Sequence, residues 1–254
     1  MNFELLTRFA TKIRNAPEGL SDQLAQDLTI MESRPLSAIY APFDYVPTGA
    51  RIAIVGITPG RVQADNALRA ASRAFRAGKS IEQAAAIAKL EASFSGTQTR
   101  NNLVAMLDEV GLASKFGLNT CAGLFAPGSE QVHFTSALRY PVFLAGDNYR
   151  GNPSMTRTPA LRQMVETYLA EEVRALSGTL WLPLGPKPAE ALAYLVRAGV
   201  LKKELVLDGM PHPSGLNGER VSAFLGKIDR ASIKTDIAKL VAARARLTNQ
   251  IATL

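Results

Sequence analysis

The stretch Arg51-Ile52-Ala53-Ile54-Val55-Gly56-Ile57-Thr58-Pro59-Gly60 (RIAIVGITPG) decides the fold. Five residues, almost all apolar, run straight into a Gly/Pro turn. A strand covered on both faces reads as such an unbroken run, rather than as an alternation. Alanine-rich helical segments follow at about 63–77 and 80–91, and another at 99–110. Short apolar runs recur at 132–137, 180–184 and 205–207, each followed by a turn or loop and then a helical pattern. Strands that alternate with helices form a mostly parallel sheet with helices on both faces. Working outward, residues 2–15 and 20–31 read as N-terminal helices, and 34–50 as a proline-rich approach loop bearing Tyr40, Phe43 and Tyr45. Residues 141–159 read as a long polar loop, 161–176 as a helix, and about 218–227 and 232–249 as the closing helices. The expectation is a single domain over 1–254. It comprises the N-terminal helices and loop (1–50), a core (51–226) and a C-terminal helix (227–254).

Composition narrows the function classes. The chain has 254 residues, 47% of them hydrophobic and 20% charged, enough for a large core. Lysine and arginine number 29 against 22 aspartates and glutamates, a net charge of +7 that favours a polyanionic partner. One cysteine, Cys121, permits no internal disulfide and excludes four-cysteine metal or cluster sites. With only His133 and His212 besides, no metal and no cofactor are expected. The N-terminus MNFELLTRFATKIR lacks the pattern of a signal peptide, and no apolar run is long enough to span a membrane. A cytoplasmic monomer is the expectation.

In open parallel sheets, ligands bind beyond the carboxyl ends of the strands. Two turns lie there: GITPG after the first strand and Pro211-His212-Pro213-Ser214-Gly215-Leu216-Asn217 after the last. In the first, Gly60 can take a positive φ and Pro59 stiffens the backbone. The turn is neither GxGxxG nor GxxxxGK[ST], so dinucleotide and nucleoside-triphosphate binding lose their usual warrant. In the second, two prolines fix the backbone around His212. Ser214, Gly215 and the next helix offer a hydroxyl and amides suited to one phosphate. A histidine held at a strand's end is a candidate electrophile or acid. The same histidine could instead only tie the loop together.

The pair of turns, in this order and separation, resembles the uracil-DNA glycosylase superfamily. That family carries a G-x-x-P-G or G-x-D-P-Y turn after one strand and an H-P-S or N-P-S-G-L-S loop after the last. Phe94-Ser95-Gly96 and the helix after it are similar to the family's F-x-G segment. VHFTSALRYP at 132–141 is similar to its recognition strand, and LWLPLGPKPA at 180–189 to the strand–LG–helix unit between them. The likeness spans roughly 50–226. It implies a three-layer α/β/α sandwich around a four-stranded parallel sheet. It also implies a protein that flips a deaminated or mismatched base out of DNA and cleaves it from the sugar, without a cofactor.

By that resemblance His212 is the donor to the departing base, with Ile57, Phe94 and Ser136 lining the base pocket. Pro59, Gly60, Pro213, Ser214, Gly215 and Asn217 grip DNA phosphate. The sequence departs from the family at two points. Where many members carry Asp, Glu or Asn to orient water, this chain has Ile57 and Thr58. Threonine can bond a water but cannot take its proton, and the nearby Asp65 is a weak substitute. Where an asparagine often reads the uracil edge, Ser136 offers one hydroxyl. Two alternatives follow: a nucleic-acid-binding member without the chemistry, or a hydrolase of small nucleosides.

Overall fold

The computed structural model describes residues 2–228 and 236–253. The chain divides into two compact units. One gathers the chain up to Thr48 with Ile57–Ser93 and Phe134–Ser177; the other gathers Gly49–Gly56, Phe94–His133 and the chain from Gly178 onward.

The first unit opens with α1 (Glu4–Arg14), whose buried Leu6, Phe9 and Ile13 form one stripe. Helix α2 (Asp22–Asp27) is capped by Ser21, whose hydroxyl accepts from the Leu24 amide at 3.1 Å. The expected helix over 20–31 stops there. Thr29–Ser33 is strand β1, paired antiparallel with β2 (Leu36–Ile39). β-branched Thr29 and Ile30 suit that pairing better than another helical turn. β2 continues onto β5 (Val142–Leu144) and β6 (Asp147–Asn148), so part of both expected loops is a second, antiparallel sheet, β1-β2-β5-β6. The last two strands are joined by Ala145-Gly146, both at positive φ, as a two-residue hairpin turn requires.

The central sheet has the order β4-β3-β7, with β3 at Ile52–Gly56, β4 at Val132–Ser136 and β7 at Leu180–Pro183. β3 and β7 pair in parallel from Ile52 opposite Leu180 to Val55 opposite Pro183. All five residues of β3 are buried. The α/β/α fold class stands, with three parallel strands rather than four. The expected fourth strand, at 205–207, shrinks to one parallel bridge between Val206 and Trp181 and one bond from the Leu207 amide to the Trp181 carbonyl. Its approach is a 3-10 turn at Lys203–Leu205, and Pro211 beyond has no amide hydrogen with which to extend a ladder.

The first unit also holds α3 (Arg61–Arg76) and α4 (Ile81–Ala92), whose buried alanines permit close helix packing. The second holds α5 (Thr97–Glu109) and α6 (Leu112–Phe116). The helix expected at 161–176 runs Pro159–Ala175. It consists of α7 (Pro159–Met164), one wide π turn (Val165–Leu169) and α8 (Ala170–Ala175), all in the first unit. The second unit ends with α9 (Pro186–Arg197), α10 (Gly218–Phe224) and α11 (Ile237–Ala252). The start of the helix expected over 232–249 lies outside the described residues. Among the described residues no helix is long and apolar enough to cross a membrane, and no group of three or more His, Cys, Asp or Glu is placed to hold a metal ion.

Candidate active site

The histidine loop belongs to the second unit. Its backbone is pinned from several directions. The Gly185 amide donates to the Met210 carbonyl at 2.8 Å, just before the loop. The Asn102 side chain, on α5, donates to the Pro213 carbonyl at 2.9 Å. Asn217 closes the loop on itself, its side-chain amide donating to Ser214 Oγ at 2.9 Å and its backbone amide to the Ser214 carbonyl at 2.9 Å. Gly215 packs against the Gln98 side chain of α5: a Cβ there would lie 2.5 Å from Gln98 Oε1, which would have to move aside.

His212 itself is partly buried, and that burial pushes its imidazole below the ordinary value. The Ser214 amide donates to Nδ1 at 3.2 Å. An Nδ1 that accepts carries no proton, so the neutral ring has its hydrogen on Nε2. The loop therefore holds a neutral N–H donor. Phe94 sits three residues before α5, half-buried, with φ +47°. A non-glycine residue in that region is strained, and such strain gathers at functional sites. Phe94 and the His212 loop are thus linked through α5, whose first half also supplies Gln98 and Asn102.

The GITPG turn beyond Gly56 belongs to the first unit, and several of its polar groups are engaged within the fold. Thr58 Oγ1 donates to the Tyr140 carbonyl at 2.9 Å and accepts from the Val142 amide at 3.1 Å. The Ile57 carbonyl accepts from the Leu138 amide at 3.0 Å, which ties the turn to the chain just beyond Ser136 and β4. The Gly60 amide is taken by Gln63 Oε1 at 2.6 Å and the Arg61 amide by Asn148 Oδ1 at 2.9 Å. Gly60 has φ −84°, so its glycine is not there for a positive φ. It is there because a Cβ would stand 2.9 Å from Gln63 Oε1 and 3.3 Å from the Asn148 side chain. Asp65 is not brought to the turn's polar groups. One oxygen accepts from the Leu20 amide at 2.7 Å and the other from Arg69 Nε at 2.9 Å, so it anchors the N-terminal segment.

Behind the same turn lies a buried polar network that sequence reading missed. Asp44, 3% exposed, accepts from Tyr40 at 2.6 Å and Tyr140 at 2.7 Å. Burial raises its carboxyl above the usual range, and the two tyrosine hydrogen bonds act against that. Lys89 donates to the Phe43 and Tyr45 carbonyls at 2.9 and 2.6 Å, and burial lowers its ammonium to about 8. Arg139 and Glu172, both buried, pair at 2.7 Å, and Glu172 also accepts from Thr135 at 2.7 Å. Apart from Tyr40 and Asp44, four residues apart, these partners lie 33 to 96 residues apart, beyond any local motif.

A second missed residue is Leu216, 92% exposed at the tip of the histidine loop. A leucine between Gly215 and Asn217 in an otherwise polar loop was the available signal. His133, by contrast, is fully buried, edge-on to Trp181.

Three parallel strands with a Gly/Pro turn after the central one, and a histidine loop after the single Val206–Trp181 bridge, describe an α/β fold of the kind the sequence resemblance implied. The model of the "Uracil DNA glycosylase superfamily" matches residues 43–231, and the chain belongs to that superfamily. A Bacillus subtilis (strain 168) protein, the uncharacterized protein YoxB, is 34% identical over 229 residues, which cover 88% of this chain and 89% of that protein. No solved structure matches the chain.

Proposed function

We propose that the protein is a DNA glycosylase that excises a deaminated or mismatched base, uracil or a relative of it, as the first step of base-excision repair. The observation that carries this reading is the state of His212: a neutral ring whose Nδ1 is filled by the Ser214 amide, leaving Nε2–H as a fixed donor. When the bond between base and sugar breaks, its electron pair leaves with the base. A donor already aimed at that developing charge lowers the barrier without reorganising. Water adds at the sugar carbon and gives its proton to solvent. The Gly215 amide and the Ser214 hydroxyl, stiffened by Asn102 and Asn217, suit the neighbouring phosphate. Leu216, exposed and apolar, suits the gap that an extruded base leaves in the stack.

A panel of single- and double-stranded oligonucleotides tests the reading, each carrying uracil, hypoxanthine, xanthine, mismatched thymine or an alkylated base. Release of one base by the wild-type protein and not by His212→Ala is the expected result. Equal release by the mutant overturns the role of His212.

One observation favours a second reading, a nucleic-acid binder without chemistry. No carboxylate stands in the GITPG turn, and both the Thr58 hydroxyl and the Asp65 oxygens are engaged elsewhere. Salt-sensitive binding with no release from any substrate in the panel selects it.

A further inference from the structure

The exposed start of α3, outside the histidine loop, carries a charge in the wrong place. Arg61 occupies the first helical position, where the helix dipole disfavours a cation. Arg14, Arg76 and Arg174 instead lie in last turns, where a cation is favourable. Arg69, Arg73, Arg139 and Arg162 face carboxylates. Among the described residues Arg61 has neither compensation. Its guanidinium lies over the Phe143 ring, 5.2 Å from the centroid, so it is already ordered. The helix-end amides are not free for a ligand, since Gln63 and Asn148 occupy those of Gly60 and Arg61.

Asn148 brings a second arginine close. Arg150, exposed, is two residues beyond the side chain that holds the Arg61 amide, within about 7 Å of chain. Arg150 is set between two buried residues, Tyr149, whose hydroxyl donates to the Pro153 carbonyl, and Gly151. No aspartate or glutamate occurs between Asn148 and Val165, nor between Ile57 and Ala64. Next to Arg61 on α3 stands Val62, 69% exposed. It and Leu216 are the exposed large apolar side chains among the described residues.

We propose that Arg61, Val62 and Arg150 form a second DNA-backbone surface, separate from the Ser214 cradle. The two guanidinium groups take phosphates and Val62 lies against the sugars between them. Charge selects the occupant: two exposed arginines, one of them ordered over Phe143, against the single nearby acid Asp147, together with one small apolar contact, fit a phosphodiester chain. The proposal rests on the glycosylase reading for its choice of DNA.

The test is binding of an undamaged fluorescein-labelled duplex by anisotropy, from about 50 to about 200 mM salt. The variants are Arg61→Gln with Arg150→Gln, and Arg76→Gln with Lys79→Gln as an equal charge loss at the other end of α3. Each lost phosphate contact removes about 0.9 from the slope of log affinity against log salt, so the first pair is expected to flatten it by about 1.8. The control pair is expected to leave it unchanged. Val62→Ser is expected to weaken binding at an unchanged slope. An unchanged slope in the first pair, or an equal loss in the control pair, overturns the surface. Turnover is not needed. Base release with an unchanged slope removes the surface and leaves the enzyme, and a flattened slope without base release from any substrate does the reverse.

Discussion

The two family turns differ in what their polar groups are already doing. In GITPG, the Thr58 hydroxyl and the Gly60 and Arg61 amides all have partners within the fold. In PHPSGLN, the partners fix the backbone and one side of the imidazole and leave the other side as a donor. Under the proposed function the first turn serves as a wall and the second as the tool, so the polar chemistry is concentrated in one loop.

The largest effect is expected behind the wall. Glu172→Ala leaves Arg139 buried without its closest carboxylate, and breaking a buried pair costs about 3–5 kcal/mol. A melting temperature lower by on the order of 10 °C is the expected calorimetric result. A shift of a degree or two would show that the network is not what holds the turn.

His212→Ala, on the other side of the comparison, should leave melting nearly unchanged and slow base release about 10²–10³-fold, as the loss of one preorganised donor does. Thr58→Val removes a hydroxyl that both donates and accepts, so a stability loss of about 1–3 kcal/mol is expected. Its release rate per folded molecule should fall far less than that of His212→Ala. If it falls as far, the first turn is chemical after all.

The smallest effect is a titration. Burial holds the folded imidazole of His212 below about 6.5, its value in an unfolded chain. As pH falls through that value the unfolded chain takes up a proton and the folded one does not, so this group lowers stability on the acid side and is silent above it. Nitrogen-15 spectra at neutral pH should show Nε2 protonated and Nδ1 bare. A midpoint above 6.5, or the opposite tautomer, contradicts the donor geometry.

The parallel half of the fold was legible because β3, β7 and the helices around them have strong, uninterrupted periods. The antiparallel sheet was not. β1 follows a true helix with only Leu28 between them, β2 sits among prolines, and β6 has two residues. Their stability comes from pairing with each other, which no local pattern records. Of the candidate site, the bends of the 211–217 loop were legible from proline and glycine punctuation. The fate of Thr58 was not, since its partners lie 82 and 84 residues away, nor was the bond from Leu20 to Asp65 across 45 residues, although Arg69, its other partner, is one helical turn on. The Asp44–Tyr140 pair was invisible for the same reason.

The single Val206–Trp181 bridge that stands where a fourth strand was expected has a mechanical consequence. A full edge strand would clamp the chain entering His212 along its length. Here it is attached to its surroundings by the Leu207 amide and, further on, by the Met210 carbonyl. So few ladder bonds make a hinge, and local opening is cheapest where backbone hydrogen bonds are fewest. Amides at 206–210 should therefore exchange with solvent well before those of β3.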